Sequence, residues 1–118
     1  MILGTTVKRL FIEASWFSER MKKIGSDELL TGIQDEILKN PSVGDLVQGT
    51  GGVRKMRMGN KTKRTGKSGG YRVLYLDLPD RLRTYLIFFY SKAEADDIST
   101  VGKKAIREMV KQIKEPEL

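Results

Sequence analysis

Two closely spaced apolar runs constrain the fold of this chain more than any other feature. Residues 71–78 and 84–90 are rich in valine, leucine, isoleucine and aromatic residues, and Pro79, Asp80 and Arg81 lie between them. β-Branched and aromatic residues favour strands, whereas proline followed by aspartate favours a turn. The pattern therefore predicts two antiparallel strands at the centre of a sheet.

The N-terminal part of the chain predicts two helices. The first has its apolar residues on one face: Trp16, Phe17, Met21 and Ile24. Gly25 ends this helix, and Ser26 is placed as the N-cap of the next one. The second helix runs to Lys39 or Asn40, because the proline that follows stops it. We expect the two helices to form a hairpin over one face of the sheet, with the aromatic pair of the first helix in the core.

Three shorter segments extend the predicted sheet. Residues 7–12 form an apolar run that predicts a first strand, and the glycine-rich residues 41–52 predict a loop. Residues 53–58 alternate weakly, which predicts a strand with Lys55 and Arg57 on one cationic face.

A C-terminal helix completes the predicted α+β architecture. Ser99 or Thr100 is placed to cap it. Its apolar stripe consists of Val101, Ala105, Ile106, Met109, Val110 and Ile113. No linker divides the chain, so we expect residues 1–118 to form a single domain.

A long basic segment joins the predicted strands. From Arg54 to Arg72 it has no acidic residue and eight basic ones: Arg54, Lys55, Arg57, Lys61, Lys63, Arg64, Lys67 and Arg72. The chain as a whole has a net charge of +7. Clustered basic residues gain affinity for polyanions by displacing counterions from phosphates, so nucleic acid is the expected partner.

The composition excludes several kinds of chemistry, because the chain has no cysteine and no histidine. Disulfides, thiolate metal sites and catalytic groups that depend on imidazole are therefore excluded. We expect no metal and no cofactor, and proton transfer by lysine, carboxylate or tyrosine. The sequence has no signal peptide or transmembrane stretch, which predicts a soluble cytoplasmic protein with no membrane partner.

RNA is the favoured substrate because it carries its own nucleophile. A protein cleaves it without metal by orienting a 2′-hydroxyl against the adjacent phosphate and stabilising the anionic transition state. Neighbouring cations make lysine a candidate for proton transfer, whereas arginine stays charged and only stabilises. We therefore assign proton transfer to Lys55 and phosphate binding to Arg57 and Arg72.

Several motifs resemble those of one toxin family. The stretches GGVRKMR (51–57), GKSGGYRVLY (66–75) and YSKAE (90–94), followed by Asp97 and the Ile98-Ser99 cap, occur in this order. In this combination the chain resembles the RelE superfamily of bacterial toxins, with the best match to HigB-type and phage-derived members. The resemblance extends from Asn40 to the last helix.

The resemblance implies a fold and an activity. The fold is a compact α+β domain in which two N-terminal helices pack on a small, twisted, mainly antiparallel sheet, with a C-terminal helix. The activity is metal-independent cleavage of messenger RNA in the ribosomal A site, which leaves 2′,3′-cyclic or 3′-phosphate ends and inhibits translation. The implied partners are messenger RNA, ribosomal RNA and a neutralising antitoxin, expected to be a helix-turn-helix protein like HigA.

The family's site residues carry over to particular positions. Lys55 and Arg57 match two basic active-site residues on the family's second strand, and Arg72 matches the arginine that follows the glycine and aromatic pair. A catalytic arginine of RelE falls on Ala93, with Lys92 beside it as the substitute. The stacking tyrosine of RelE falls near Ser99. The expected RNA-binding residues are Arg54, Lys61, Lys63, Arg64, Lys67 and Tyr90.

Other interpretations of these residues remain open. The same cationic face suits an RNA- or ribosome-binding module that does not cut, and related ParE-like toxins act on DNA gyrase instead. Tyr90 fits either an aromatic contact to RNA or the core. Glu94 and Asp97 fit a salt bridge to the basic loop better than a proton-transfer role. Trp16 fits the core better than an antitoxin contact.

Overall fold

A computed structural model describes residues 9–59, 70–95 and 97–116. Along these residues lie β1 (Leu10–Glu13), α1 (Ser15–Ile24), α2 (Asp27–Lys39), β2 (Asp45–Leu46), β3 (Arg54–Met58), β4 (Tyr71–Leu78), β5 (Arg83–Ser91) and α3 (Thr100–Lys114). A 3-10 turn, Pro79–Arg81, joins β4 to β5 as the proline and aspartate predict. The strand predicted from residue 7 begins in the described part at Leu10, and residues 1–8 lie outside that part.

The strands form one sheet in the order β1-β5-β4-β3-β2. β4 pairs with β5 and with β3 in antiparallel fashion, and β2 extends the sheet beyond β3. β1 is parallel to β5. The prediction of a mainly antiparallel sheet with β4 and β5 at its centre is confirmed.

β4 is covered on both faces, and its alternating residues separate two apolar cores. The core under α1 and α2 consists of Phe17, Ile33, Ile37, Met56, Val73, Tyr75, Leu86 and Phe89. The core under α3 consists of Val53, Leu74, Leu76, Ile87, Ile106 and Val110. Because successive strand residues point to opposite faces, a strand covered on both faces is apolar at nearly every position.

The two N-terminal helices form the predicted hairpin, and Ser26 caps α2 by accepting a hydrogen bond from the backbone N–H of Leu29 (3.1 Å). Phe17 is fully buried, as expected for the core. The prediction that Trp16 is also a core residue is wrong, because its side chain is 37% exposed. Consecutive helical positions point about 100° apart, so only one member of the aromatic pair faces the sheet.

Ser99 is the N-cap of α3, and its hydroxyl accepts a hydrogen bond from the backbone N–H of Gly102 (3.0 Å). Ile106 and Val110 pack on the sheet, but Val101 and Ala105 of the predicted apolar stripe are exposed. The sheet contact therefore begins one turn later than the stripe predicts. At the other end of α3, Arg81 donates hydrogen bonds to the backbone carbonyls of residues 113 (2.7 Å) and 114 (3.0 Å).

The segment between α2 and β3 contains the short strand β2 where a loop was predicted. The side chain of Tyr75 holds this segment against the sheet through two hydrogen bonds. Its buried hydroxyl donates to the carbonyl of Pro41 (2.8 Å) and accepts from the backbone N–H of Gly44 (3.0 Å). Within the described residues no helix is both long and apolar enough to cross a lipid bilayer.

Replacing Tyr75 with phenylalanine is expected to lower the free energy of unfolding by about 1–3 kcal/mol, because it leaves the part-buried carbonyl of Pro41 and the buried N–H of Gly44 unpaired. The measurement is equilibrium denaturation in urea. Tyr85→Phe is the matched control, since the described residues show no hydrogen bond to the Tyr85 hydroxyl. Equal losses in the two variants would contradict the anchoring role of Tyr75.

Candidate functional site

Three basic residues lie together on the α3 face of the sheet. Lys55 and Arg57 lie on the same face of the sheet as Val53, because every second residue of a strand points to the same side. The side chain of Val53 is buried in the core under α3. Arg57 lies directly opposite Arg72 on β4. We call Lys55, Arg57 and Arg72 the cationic cluster.

The two arginines of the cationic cluster differ in exposure. Arg72 is 6% exposed, whereas Arg57 is exposed. Like charges on directly opposite strand positions destabilise a sheet, and burying one of them adds a cost of desolvation. Arg72 donates from its guanidinium to the carbonyl of Tyr71 (3.4 Å), so part of its donor capacity is used within the fold. The guanidinium of Arg57 is exposed, and its N–H donors suit an anion such as a phosphate.

A β-bulge brings Tyr90 beside this cluster. Leu74 pairs with Phe88, but the next residue of β4, Tyr75, pairs with Leu86, so Ile87 is an extra residue in β5. The extra residue reverses the alternation of β5 beyond the bulge. Tyr90 thereby comes opposite Arg72 and lines the α3 face, while Phe89 turns to the core under α1 and α2.

The side chain of Tyr90 is buried, but its hydroxyl makes no hydrogen bond within the described residues. It is 5% exposed, and its hydroxyl is the one buried side-chain polar atom in the described residues that has no hydrogen-bond partner. Burial raises the pKa of this hydroxyl, the charge of Asp97 raises it further, and Arg72 opposes both effects. The ring of Tyr90 lies in the interior, as the core interpretation expects, and its contact with RNA stays a prediction.

Lys55 has an acidic partner that the charge pattern did not predict. Its Nζ donates to the carboxylate of Asp97, 3.3 Å away and 42 residues later in the chain. The backbone N–H of Ile98 (2.7 Å) and then Lys55 hold the pKa of Asp97 below its ordinary value. The ion pair keeps the ammonium group of Lys55 on the α3 face, where its charge can stabilise negative charge on a bound ligand.

Glu94 is also engaged away from the basic segment. It accepts hydrogen bonds from Arg20 of α1 and from the backbone N–H of Ser91 (2.9 Å). The latter bond, followed by Arg20, lowers the pKa of Glu94. The expected salt bridges therefore occur, but in the described residues their partners are Lys55 and Arg20 instead of the loop.

Lys92 lies in the turn that follows β5, next to the exposed Ala93. Its backbone N–H donates to the carbonyl of Gly70 (2.9 Å), which fixes the turn beside the start of β4. Arg72 is two residues further along β4. The structure thus brings Lys92 to the same end of the sheet as the cationic cluster.

The remaining predicted RNA-binding residues do not join this cluster in the described part. Arg54 is next to Lys55 in the strand and therefore points to the opposite face of the sheet. Its guanidinium donates to the carbonyl of Gly44 (2.8 Å), which stabilises the segment before β3. The loop residues lie outside the described residues: Lys61, Lys63, Arg64 and Lys67. Ser99, near the expected stacking position, serves as the N-cap of α3.

Sequence patterns did not predict two features of this region. Asp97 was expected to pair with the basic loop, but it contacts Lys55, 42 residues earlier in the chain, and no local spacing links these two residues. Trp16 and Val101 face solvent near Tyr90, although both belong to apolar helical stripes. A periodic stripe shows which side of a helix is apolar but not where its packing partner ends, so the sequence carried no signal for this exposure.

Replacing Asp97 with asparagine is expected to lower the free energy of unfolding at neutral pH by less than about 1 kcal/mol, since the ion pair with Lys55 is largely exposed. Because the folded-state pKa of Asp97 is lowered, its contribution is present above the ordinary carboxyl pKa of about 4 and disappears as the pH falls through the folded value. Asparagine keeps an acceptor for the Ile98 N–H. Denaturation of both proteins at pH 7 and pH 2.5 tests this, and an unchanged difference at low pH would contradict it.

Comparison with known proteins adds information about the fold. No family model matches the chain. Among solved structures, the isolated E. coli RelE toxin is 19% identical over 86% of this chain and 98% of its own, with a TM-score of 0.53. A RelE variant with two arginines replaced by alanine, in the free state, is 18% identical over 90% and 98%, with a TM-score of 0.57.

A third similar structure is the intact E. coli RelBE toxin-antitoxin complex, 20% identical over 70% of this chain and 95% of that one, with a TM-score of 0.52. At such identities the similarity concerns the fold, which matches in its helical hairpin, mixed five-stranded sheet and C-terminal helix. The chain therefore has the α+β fold of the RelE toxins.

Proposed function

We propose that this protein is a RelE-superfamily toxin of the HigB-type branch that cleaves messenger RNA in the ribosomal A site. The observation that carries the proposal is the pairing of Arg57 with Arg72 on the α3 face, with Lys55 next to them. Like charges at opposed strand positions repel each other, and a phosphate of RNA bound beside them offsets that repulsion. The RelE fold of the chain supports the same conclusion.

The reaction is an internal transfer at phosphorus. The 2′-oxygen of one nucleotide attacks the adjacent phosphate, and its proton passes to solvent. The bond from phosphorus to the 5′-oxygen then breaks, which leaves a 2′,3′-cyclic phosphate and, once that oxygen is protonated, a 5′-hydroxyl. Arg57 and Arg72 neutralise the charge that develops on the phosphate oxygens. Lys92, at the same end of the sheet, adds a further positive charge for this purpose. Lys55, held by Asp97, donates a proton to the departing oxygen.

The partners follow from the same proposal. The basic residues between β3 and β4 contact ribosomal RNA, whose phosphates attract clustered lysines and arginines. The RelBE complex is a toxin bound to its antitoxin, and we infer a comparable partner for this chain, of the helix-turn-helix HigA type. An acidic surface on that partner would compete with RNA for the cationic cluster.

Arg57→Ala is expected to slow ribosome-dependent cleavage by about 100-fold or more, because it removes a group that stabilises the transition state. Its stability is expected to stay unchanged or rise slightly, since Arg57 is exposed and opposes Arg72. Primer extension on a translated message, with and without ribosomes, measures the cuts. Lys39→Ala is the matched control, as an exposed cation at the end of α2.

The same assay separates the competing functions. Wild-type cleavage by Arg57→Ala would exclude the proposed site. Binding to ribosomes without cuts by the unmodified protein would favour a non-catalytic RNA-binding module. Inhibition of DNA supercoiling by gyrase, with no effect on RNA, would favour the ParE-like alternative.

Removing the basic loop side chains tests docking separately from cutting. Alanine at Lys61, Lys63, Arg64 and Lys67 together is expected to weaken ribosome binding and to reduce the slope of log affinity against log salt concentration by about 0.7 for each lost phosphate contact. Cleavage at saturating ribosome concentration is expected to persist. An unchanged salt slope would contradict the docking role of these residues.

A further inference from the structure

The outer edge of β5 is covered by β1 over only part of its length. β1 pairs with residues 83–86, and the backbone N–H of Ala14, just after β1, donates to the carbonyl of Leu86 (2.9 Å). Within the described sheet, residues 88–91 of β5 continue beyond this point and pair with β4 alone. A free strand edge leaves backbone N–H and C=O groups without strand partners, so other groups have to bind them.

Two side chains bind the backbone of this open edge. The Nε of Arg20 in α1 donates to the carbonyl of Phe89 (3.1 Å), and the carboxylate of Glu94 accepts from the backbone N–H of Ser91 (2.9 Å). The N–H of Lys92 bonds across the ladder towards β4, so the alternating positions 89 and 91 direct their polar groups away from β4. The two side chains therefore take the place that a longer β1 would fill.

The same two side chains are joined to each other. The guanidinium of Arg20 forms an ion pair with the carboxylate of Glu94. The guanidinium carbon lies 5.5 Å from the centre of the Phe88 ring, which is a cation–π distance. The Arg20 side chain is only 18% exposed, so water competes little for these contacts. One arginine thus ties α1 to the end of β5 and to the turn that follows it.

The turn that is held in this way contains a residue of the candidate site. The carbonyl of Ser91 accepts from the backbone N–H groups of Glu94 (3.0 Å) and Ala95 (3.3 Å), which closes the turn around Lys92. On the side of β4, the turn is held by the bond from the Lys92 N–H to the carbonyl of Gly70 (2.9 Å). The backbone position of Lys92 therefore depends on β4 on one side and on the ion pair on the other.

We propose that Arg20 is a positioning residue, which acts through Glu94 to hold the turn of residues 91–95 so that the charge of Lys92 stays beside the cationic cluster. A lysine ammonium lies at the end of a flexible stem, so a fixed backbone is needed to keep its charge near one phosphate. Arg20 does not contact the RNA in this role. The inference rests on the proposed function, because that reaction uses the charge of Lys92.

Amide hydrogen exchange of the full chain, measured by NMR without ribosomes, tests the anchoring of the turn. Arg20→Ala is expected to speed exchange of the Ser91 and Lys92 N–H groups by about tenfold or more relative to that of Leu76 in β4. Lys23→Ala removes the same charge from an exposed position of α1 and is the matched control. Equal changes at all three amides, or no change, would overturn the proposal.

Glu94→Ala breaks the same ion pair from its other end, where the side chain is 43% exposed and its loss threatens folding less. We expect faster exchange of the Lys92 N–H, and about the same rate when Arg20 and Glu94 are both replaced, because the two side chains act as one unit. Glu19→Ala, at an exposed position of α1, is the matched control. Effects of the two replacements that multiply would overturn the proposal.

Primer extension at saturating ribosome concentration tests the consequence for the reaction. Arg20→Ala is expected to slow cleavage by about tenfold or more with ribosome affinity unchanged, because the charge of Lys92 is misplaced. In a Lys92→Ala background the same replacement is expected to add little, since the group that it positions is absent. A purely stabilising role of Arg20 predicts an equal loss in both backgrounds, and that result would overturn the proposal.

The outcomes for Arg20 and for the proposed function are separable, because hydrogen exchange involves no cutting. A protein that cleaves messages but shows unchanged exchange in Arg20→Ala would overturn the positioning role alone. A protein that shows the selective exchange change but does not cleave would support the anchoring of the turn and overturn the nuclease.

Discussion

The pairing of β4 with its two neighbours is the constraint on which the rest of the molecule depends. β4 has an apolar core on each face, so its register decides which residues enter which core. A slip of one residue would exchange the two faces and move Arg72 towards the helical hairpin. The bulge at Ile87 adds a second condition, because without it Phe89 would take the place of Tyr90 on the α3 face. Both the folding core and the candidate site thus follow from one set of backbone hydrogen bonds.

The basic strand residues of the candidate site lie on only one of the two faces of the sheet. α1 and α2 pack on one face of the sheet, and α3 packs on the other. Lys55, Arg57 and Arg72 share the α3 face, but their exposure differs, since Arg57 is exposed and Arg72 is buried. Repulsion between the two opposed arginines acts against folding, and the two apolar cores act in its favour.

Much of this architecture was predictable, and the failures have identifiable causes. Propensity and periodicity gave α1, α2, β4, β5 and α3, because those signals are local. They placed Trp16 in the core and Val101 in an apolar stripe, because periodicity shows which side of a helix is apolar but not where its partner surface ends. The bulge, the parallel pairing of β1 and the contact between Lys55 and Asp97 depend on residues far apart in the chain. The cationic strand residues were recognisable from charge and alternation alone, whereas the positions of Asp97 and Tyr90 beside them followed only from the tertiary structure.

The anchoring of α3 differs in chemistry between its two ends. At the C-terminal end, Arg81 binds backbone carbonyls of the helix, and Lys114 reaches back to the carbonyl of Gly51. Just before the N-terminal end, Asp97 forms an ion pair with Lys55. The other contacts between this end of the helix and the sheet are apolar among the described residues. Ion pairs are screened by salt, whereas bonds to carbonyls depend on it less. We therefore expect a change in ionic strength to affect the N-terminal end of α3 more than its C-terminal end.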